Sequence, residues 1–206
     1  MKNIKNNREA GFTFVETIIG VSIFLIVSFL VSTFARDIFS LNYVLQGNLN
    51  AEIDSRHVVK IIVTELREAG PSALGAYAIA SATPSNLIFY SDVDNDGIRE
   101  KVRYFISGSS LKRGVVAPTG SPLVYDDTTE KLSTIISGFV SSSTLPLFQY
   151  HSSSYAGTSS PLTIPVDISS IRLVKVTVII DKDPNRSPIS IITTSQVSVR
   201  NLKDNL

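Results

Sequence analysis

The chain has 206 residues, 19 Lys and Arg against 18 Asp and Glu, and no cysteine. That length holds one soluble domain of ordinary size plus an anchor. With the charge balanced, nothing suggests the clustered basic face of a nucleic-acid-binding protein. The missing cysteines exclude disulfides, thiol catalysis and zinc thiolates, so an exported domain must rely on its core, or on an ion, for stability.

Residues 1–11 are short and basic, with Lys2, Lys5 and Arg8, and end in Gly11. Removing them takes three basic residues and Glu9 from the totals of 19 and 18, leaving 16 basic and 17 acidic side chains. An apolar run follows from Phe12 to Phe34, and its one charge is Glu16. Thr17 to Ala35 is free of charge and close to the roughly 20 residues that span the hydrocarbon core as a helix. The cations before it and the self-cancelling Arg36–Asp37 after it predict a cytoplasmic N-terminus and an external remainder.

Three readings compete for this segment. A cleaved secretory signal would need Thr33-Phe34-Ala35 as its site, a poor small-x-small match, and the apolar run is too long for it. A plain single-pass anchor leaves Gly11, Phe12 and Glu16 unexplained. The third reading rests on GFTFVETIIG, residues 11–20. A basic leader, a glycine, an aromatic residue and a carboxylate at the fifth position after the glycine resemble the prepilin signal of type IV pilins and type II secretion pseudopilins. The resemblance implies cleavage between Gly11 and Phe12 by a prepilin peptidase, methylation of the new amine, and retention of the helix in the bacterial inner membrane. It also implies later assembly with other pilins in a filament. An unpaired carboxylate in a bilayer costs a few kcal/mol or more. Glu16 therefore pairs with the Phe12 amine of its own or a neighbouring subunit, which would set axial register, or it snorkels to water at the interface.

Past Asp37, apolar residues recur at Ile38, Leu41, Leu45, Leu49 and Ile53, then at Val59, Ile62, Val63 and Leu66. Steps of three and four place them on one helical face. No proline interrupts Phe12 to Ala69, and Gly70-Pro71 is a stop. The predicted helix runs about 58 residues, roughly 85 Å at 1.5 Å per residue, with Gly20 and Gly47 as soft points. Residues 12–35 are read as the membrane or filament-core helix, and 36–70 as an amphipathic helix that covers a sheet. The helix ends in VTELREAGPSA (63–73). Leu66, Arg67, Ala69 and Gly70 are similar to the leucine-arginine-x-alanine-glycine signature of PilW-like minor pilins and J-class pseudopilins. Gly70 is expected to be a left-handed C-cap. Major pilins usually carry a proline near the position of Thr33, so the resemblance implies a minor subunit.

Residues 71–206 read as a β-rich periplasmic or extracellular domain, which makes the chain an α+β protein with an antiparallel sheet on its long N-terminal helix. Expected strands are Asn86–Tyr90, Ile98–Ile106, the LKRGVV segment after Gly108-Ser109-Ser110, Pro122–Tyr125, Leu145–Tyr150, Ile171–Ile180 and Ile189–Val199. Asp181–Pro188 has the turn chemistry to join the last two. The serine-rich stretch 141–165 reads as exposed loop.

One cluster is ligand-like. Asp92, Asp94, Asp96, Gly97, Ile98 and Glu100 follow the first half of a calcium loop, with oxygens at positions 1, 3 and 5, a glycine at 6 and a carbonyl at 7. Position 12 is Arg103 where a bidentate glutamate belongs, and the competing reading is a hairpin turn that favours Asp, Asn and Gly for local reasons. His57 and His151, the two histidines, form no convincing metal set, and no nucleophile elbow or phosphate loop appears. The resulting expectation is a structural minor-pilin-like subunit and not an enzyme. A J-class pseudopilin is the alternative within the class, and a membrane-tethered binding module that never polymerises is the alternative outside it.

Overall fold

The computed structural model describes residues 11–181 and 190–199, the side chains of Val44 and Asn48 excepted. The leader before Gly11 and the turn expected beyond Asp181 lie outside the described residues. In chain order the elements are α1 (Phe14–Arg67), β1 (Ile79–Ala82), β2 (Asn86–Ser91), β3 (Glu100–Ser107), β4 (Ser110–Val116), β5 (Lys131–Ser137), β6 (Phe148–His151), β7 (Leu173–Ile180) and β8 (Ile191–Ser198). Two short 3-10 turns lie at Asp127–Thr129 and Ile168–Ser170. The chain divides into two units, 1–46 and 47–206.

The first unit carries the apolar part of α1. The helix is long and apolar enough to cross a membrane. None of its described side chains between Gly11 and Gln46 is buried. Several of its hydroxyls bond back to the helix: Ser22 donates to the Ile18 carbonyl (2.8 Å), Ser32 to Ser28 (2.7 Å) and Thr33 to Leu30 (2.8 Å). That back-bonding hides polar groups that lipid could not satisfy.

The second unit holds the rest of α1 against two antiparallel sheets, ordered β1-β2-β3-β4-β5 and β6-β7-β8. The helix buries a seam of Ala51, Ser55, Val58, Val59, Ile62 and Leu66, each 5% exposed or less. Strand alternation supplies the opposing face. Leu87 and Phe89 of β2, Val102 and Tyr104 of β3, and Val174, Val176 and Val178 of β7 all point into one core. Phe89 and Tyr104 stack with ring centres 6.2 Å apart. The segment after β5 joins the sheets: Phe139 bridges Ile180, and Val140 donates to the Ile179 carbonyl (2.9 Å).

The expected amphipathic stripe is corrected at its near end. Ile38, Leu41, Leu45, Leu49 and Ile53 are 47–64% exposed. Ile53 follows Ala51 by two residues, about 200° around a helix of 3.6 residues per turn, so it faces away from the seam. The 58-residue expectation also trims to 54 residues at the ends. Gly70 is not a left-handed cap; the positive-φ glycines are 75, 97, 108, 120, 138 and 157. Gly70 is buried, and its N–H reaches the Tyr90 carbonyl of β2 at 3.0 Å.

Among the strands, Pro122–Tyr125 forms a turn with a single bridge between Thr119 and Val124. Pro122 cannot donate to a ladder, and Gly120 beside it sits at φ +89°. β3 starts at Glu100 and not Ile98. β1 and β5 were not expected. β1 has four residues, and the first four of β5 are all exposed, so neither shows a buried alternation in sequence. Gly114 of β4 has a packing reason: a Cβ there would overlap the Glu130 side chain, which crosses β4 to pair with Arg103.

The seam makes a direct prediction. Leu66→Ala, at a fully buried site, lowers the unfolding free energy of the second unit by about 2–5 kcal/mol. Leu49→Ala, on the exposed side, changes it by less than about 0.5 kcal/mol. Urea denaturation of the detergent-solubilised chain measures both, and equal losses would contradict the placement.

Candidate functional site

Two regions gather the residues that sequence reasoning singled out, and the first is the start of α1. Thr13 caps the helix: Glu16 N–H donates to Thr13 Oγ1 (3.3 Å), and Thr13 N–H lies 3.5 Å from Glu16 Oε2. This is the reciprocal arrangement of a capping box, written in sequence as Thr-x-x-Glu. Glu16 therefore has a partner within its own chain, a role that the emphasis on membrane charge passed over. Phe12 is 83% exposed and Gly11 has open space around it.

The second region is the exit of α1 and the hairpin beside it. Leu66 and Ala69 are fully buried, whereas Arg67 is exposed. Thus the apolar members of the helix-end signature serve packing. A residue that sequence reasoning missed, Glu65, binds the helix to the first sheet. Its carboxylate takes the Arg113 guanidinium on both oxygens (2.7 and 3.2 Å) and the Tyr104 hydroxyl (2.7 Å). Burial first, and then the Glu65 charge, push the Tyr104 hydroxyl well above the usual tyrosine range, so it stays a donor. The available signal was position: Glu65 lies three residues after Ile62, beside the seam.

Beyond the helix, Arg99 Nη1 donates to the Pro71 carbonyl (3.2 Å), and the Tyr125 hydroxyl donates to the Arg99 carbonyl (2.6 Å) while accepting from Ala73 N–H (3.1 Å). These bonds attach the 92–99 loop to the helix exit.

The loop itself is a hairpin connection closed by the Ser91–Glu100 pair. Asp92 accepts from Asp96 N–H (3.2 Å) and Gly97 N–H (3.0 Å), and Asp96 accepts from Ile98 N–H (2.7 Å). Asn95 and Gly97 take φ values of 62° and 88°, which Asn and Gly tolerate best. Of the expected ligand set, Asp92, Asp94 and Glu100 bring a carboxylate oxygen each within 4.8 Å of one another. Asp96 accepts instead from the Ile98 N–H, and Ile98 was expected to offer only its backbone carbonyl. Three oxygens at that spacing could hold one hard cation, short of the six to eight that calcium takes.

Glu100 stands apart from the other two. Strand alternation puts it on the inward face with Val102 and Tyr104, leaving it 3% exposed, and it accepts from Val93 N–H at 2.9 Å. Burial, reinforced by the charges of Asp94 and Asp96, raises its carboxyl above the usual range despite that bond.

The histidines are not brought together. His57 is exposed on α1, lining a cleft of about 280 Å³ with Asp54, Val58 and residues 134–137 of β5. His151 is buried at the end of β6. A second cleft of about 210 Å³ lies over the first sheet, where Lys101 pairs with Asp127 (2.8 Å) and Arg103 with Glu130 (2.5 Å). Its charges are committed to one another, so it presents no free reactive group. No protein-family model matches the chain, and neither does any curated protein.

Glu100 yields a pH prediction. Its folded value lies above its ordinary 4.5, so the folded state holds the extra proton, and stability falls as pH rises from 4.5 through the folded value. The cost is fully present at neutral pH and absent in acid. Glu100→Gln keeps an acceptor for Val93 N–H, so it raises the Tm at pH ~7.5 and loses that gain toward pH ~4. A lower Tm at neutral pH would contradict this. Millimolar calcium that raises the wild-type Tm, but not that of Glu100→Gln, would instead mark the triad as a cation site.

Proposed function

We propose that this chain is a structural subunit of the type IV pilin class, cut after Gly11 by a prepilin peptidase. Residues 12–35 would then hold it in the bacterial inner membrane with a cytoplasmic N-terminus. From there it enters a filament, and its PilW-like features fit a minor pilin that primes or caps a type IV pilus.

The observation that carries this reading is the uncovered apolar surface of α1. Phe14, Phe24, Phe29, Phe34 and Phe39 are each 66–79% exposed, on a chain whose outer unit already has a complete core. Apolar surface on this scale needs lipid, or other helices of the same kind. In a filament of such helices the Glu16 carboxylate meets the Phe12 amine of a neighbour, which offsets the cost of its charge and fixes axial register. A J-class pseudopilin uses the same anchor and processing and differs in the filament it joins. The capping box favours the tethered-module alternative, because it gives Glu16 a purpose without any partner.

Glu16→Gln separates these readings. Glutamine serves at the third helical position of a capping box as glutamate does, but it carries no charge. The variant is expected to be processed, folded and membrane-held, yet at least about tenfold depleted from sheared filaments, the loss that about 1.4 kcal/mol of pairing energy produces. Incorporation at the wild-type level would leave Glu16 as a helix cap only, and absence of both wild type and variant from sheared filaments would support the tethered module.

A further inference from the structure

We propose that His151 is an acid-sensitive latch that holds the serine-rich segment 152–161 over the outer face of the second sheet. On β6, Phe148 and Tyr150 point into the core, so Gln149 and His151 point the other way. The cross-strand partners of His151 and Gln149 on β7 are Leu173 and Lys175, whose own partners on β8 are Ser198 and Gln196. An outward-facing histidine beside a lysine should be wet. His151 is instead 4% exposed, because Tyr155 folds back over it with ring centres 4.0 Å apart.

Both imidazole nitrogens are buried without a hydrogen-bond partner among the described residues. A neutral imidazole with one unmet donor and one unmet acceptor already carries a desolvation cost. The protonated ring would have two unmet donors and a full charge in the same dry place. The charged groups nearest it in the fold offer no relief. Lys175 on β7 is positive, as is Arg172, whose N–H donates to the His151 carbonyl (2.9 Å). Tyr155 adds a phenol against the ring, and no carboxylate among the described residues bonds it. Burial, and then the charge of Lys175, hold the imidazole below the usual histidine range.

The cover is also the part best able to yield. Residues 152–160 read SSSYAGTSS, with Tyr155 as the one large side chain. The segment is held by Leu162 N–H to the Tyr150 carbonyl (2.8 Å), by Tyr155 N–H to Ser152 (3.3 Å), and by Gln196 Nε2 to the Tyr155 hydroxyl (3.2 Å). Segments with so few apolar contacts open at low free energy. Protonation therefore lifts the segment and leaves the core closed. Opening also frees the Tyr150 carbonyl on β6, which is an edge strand.

The sign follows from the lowered titration of the closed state. The open state binds the proton more readily, so the latch is unaffected well above pH ~6.5, and its opening constant grows as pH falls below that until the closed-state ring titrates as well. Hydrogen exchange of the full chain in detergent micelles reads this out, after correction for the intrinsic pH dependence of exchange. Between pH ~7.5 and ~5.0 the amides of Tyr155 and Leu162 should open at least about threefold more, while those of β7 stay protected. His151→Phe and His151→Gln, two variants in case one does not fold, should show no such rise, and His57→Gln should show all of it. A wild-type rise under threefold, a full rise in either His151 variant, or its loss in His57→Gln would overturn the proposal.

Discussion

One helix has to be apolar in two different ways, and the rest of this chain is arranged around that constraint. From Phe14 to Phe34 α1 is apolar on every side, with no buried side chain among its described residues. From Ala51 to Leu66 it is apolar along one seam, and that seam is almost completely buried. At roughly 25 cal/mol per Å² of apolar surface, the first stretch cannot persist in water. The second, by contrast, is satisfied inside its own chain. A β domain with a closed core thus continues from a helix long and apolar enough to cross a membrane.

The closed core is specified by polar contacts as much as by apolar ones. Glu65 meets Arg113 and Tyr104, Ser91 Oγ donates to the Glu65 carbonyl at 2.9 Å, and Ser55 shares a 2.6 Å hydrogen bond with Thr193 of β8. These contacts reach both sheets from one helical face, so a one-residue slip of the helix would break all of them. Removing one partner of a buried charge pair typically costs about 3–5 kcal/mol, far more than the pair adds over a well-packed apolar replacement. Such groups select one register more than they add stability. The acidic hairpin and the helix exit share the bonds of Arg99 and Tyr125, which is why the 92–99 loop sits where α1 ends.

Much of this was legible in sequence where one physical rule dominated. The uninterrupted run from Phe12 to Ala69 fixed a long helix to within two residues at each end, and Asn86–Tyr90 announced β2 by alternation. The hairpin around Asp94–Gly97 followed from turn chemistry. Legibility failed where tertiary partners decide. The i, i+4 rhythm of Ile38 to Ile53 looks like the rhythm of Val59 to Leu66, yet only the latter faces a sheet. Leu132 of β5 is 57% exposed on an edge strand, so no buried pattern marked that strand. Glu100 was read by its place in a ligand loop, but its environment comes from its place on a strand. Glu65 and His151 become informative only when Arg113 and Tyr155 are seen beside them.

The central claim is that α1 is kept and its leader removed, so that an uncovered apolar helix begins at Phe12. The most direct measurement is the intact mass and N-terminal sequence of the membrane-extracted protein from cells with and without prepilin peptidase. The account predicts a chain starting at N-methylated Phe12, and starting at Met1 when the peptidase is missing. A chain that starts at Met1 in both would contradict it.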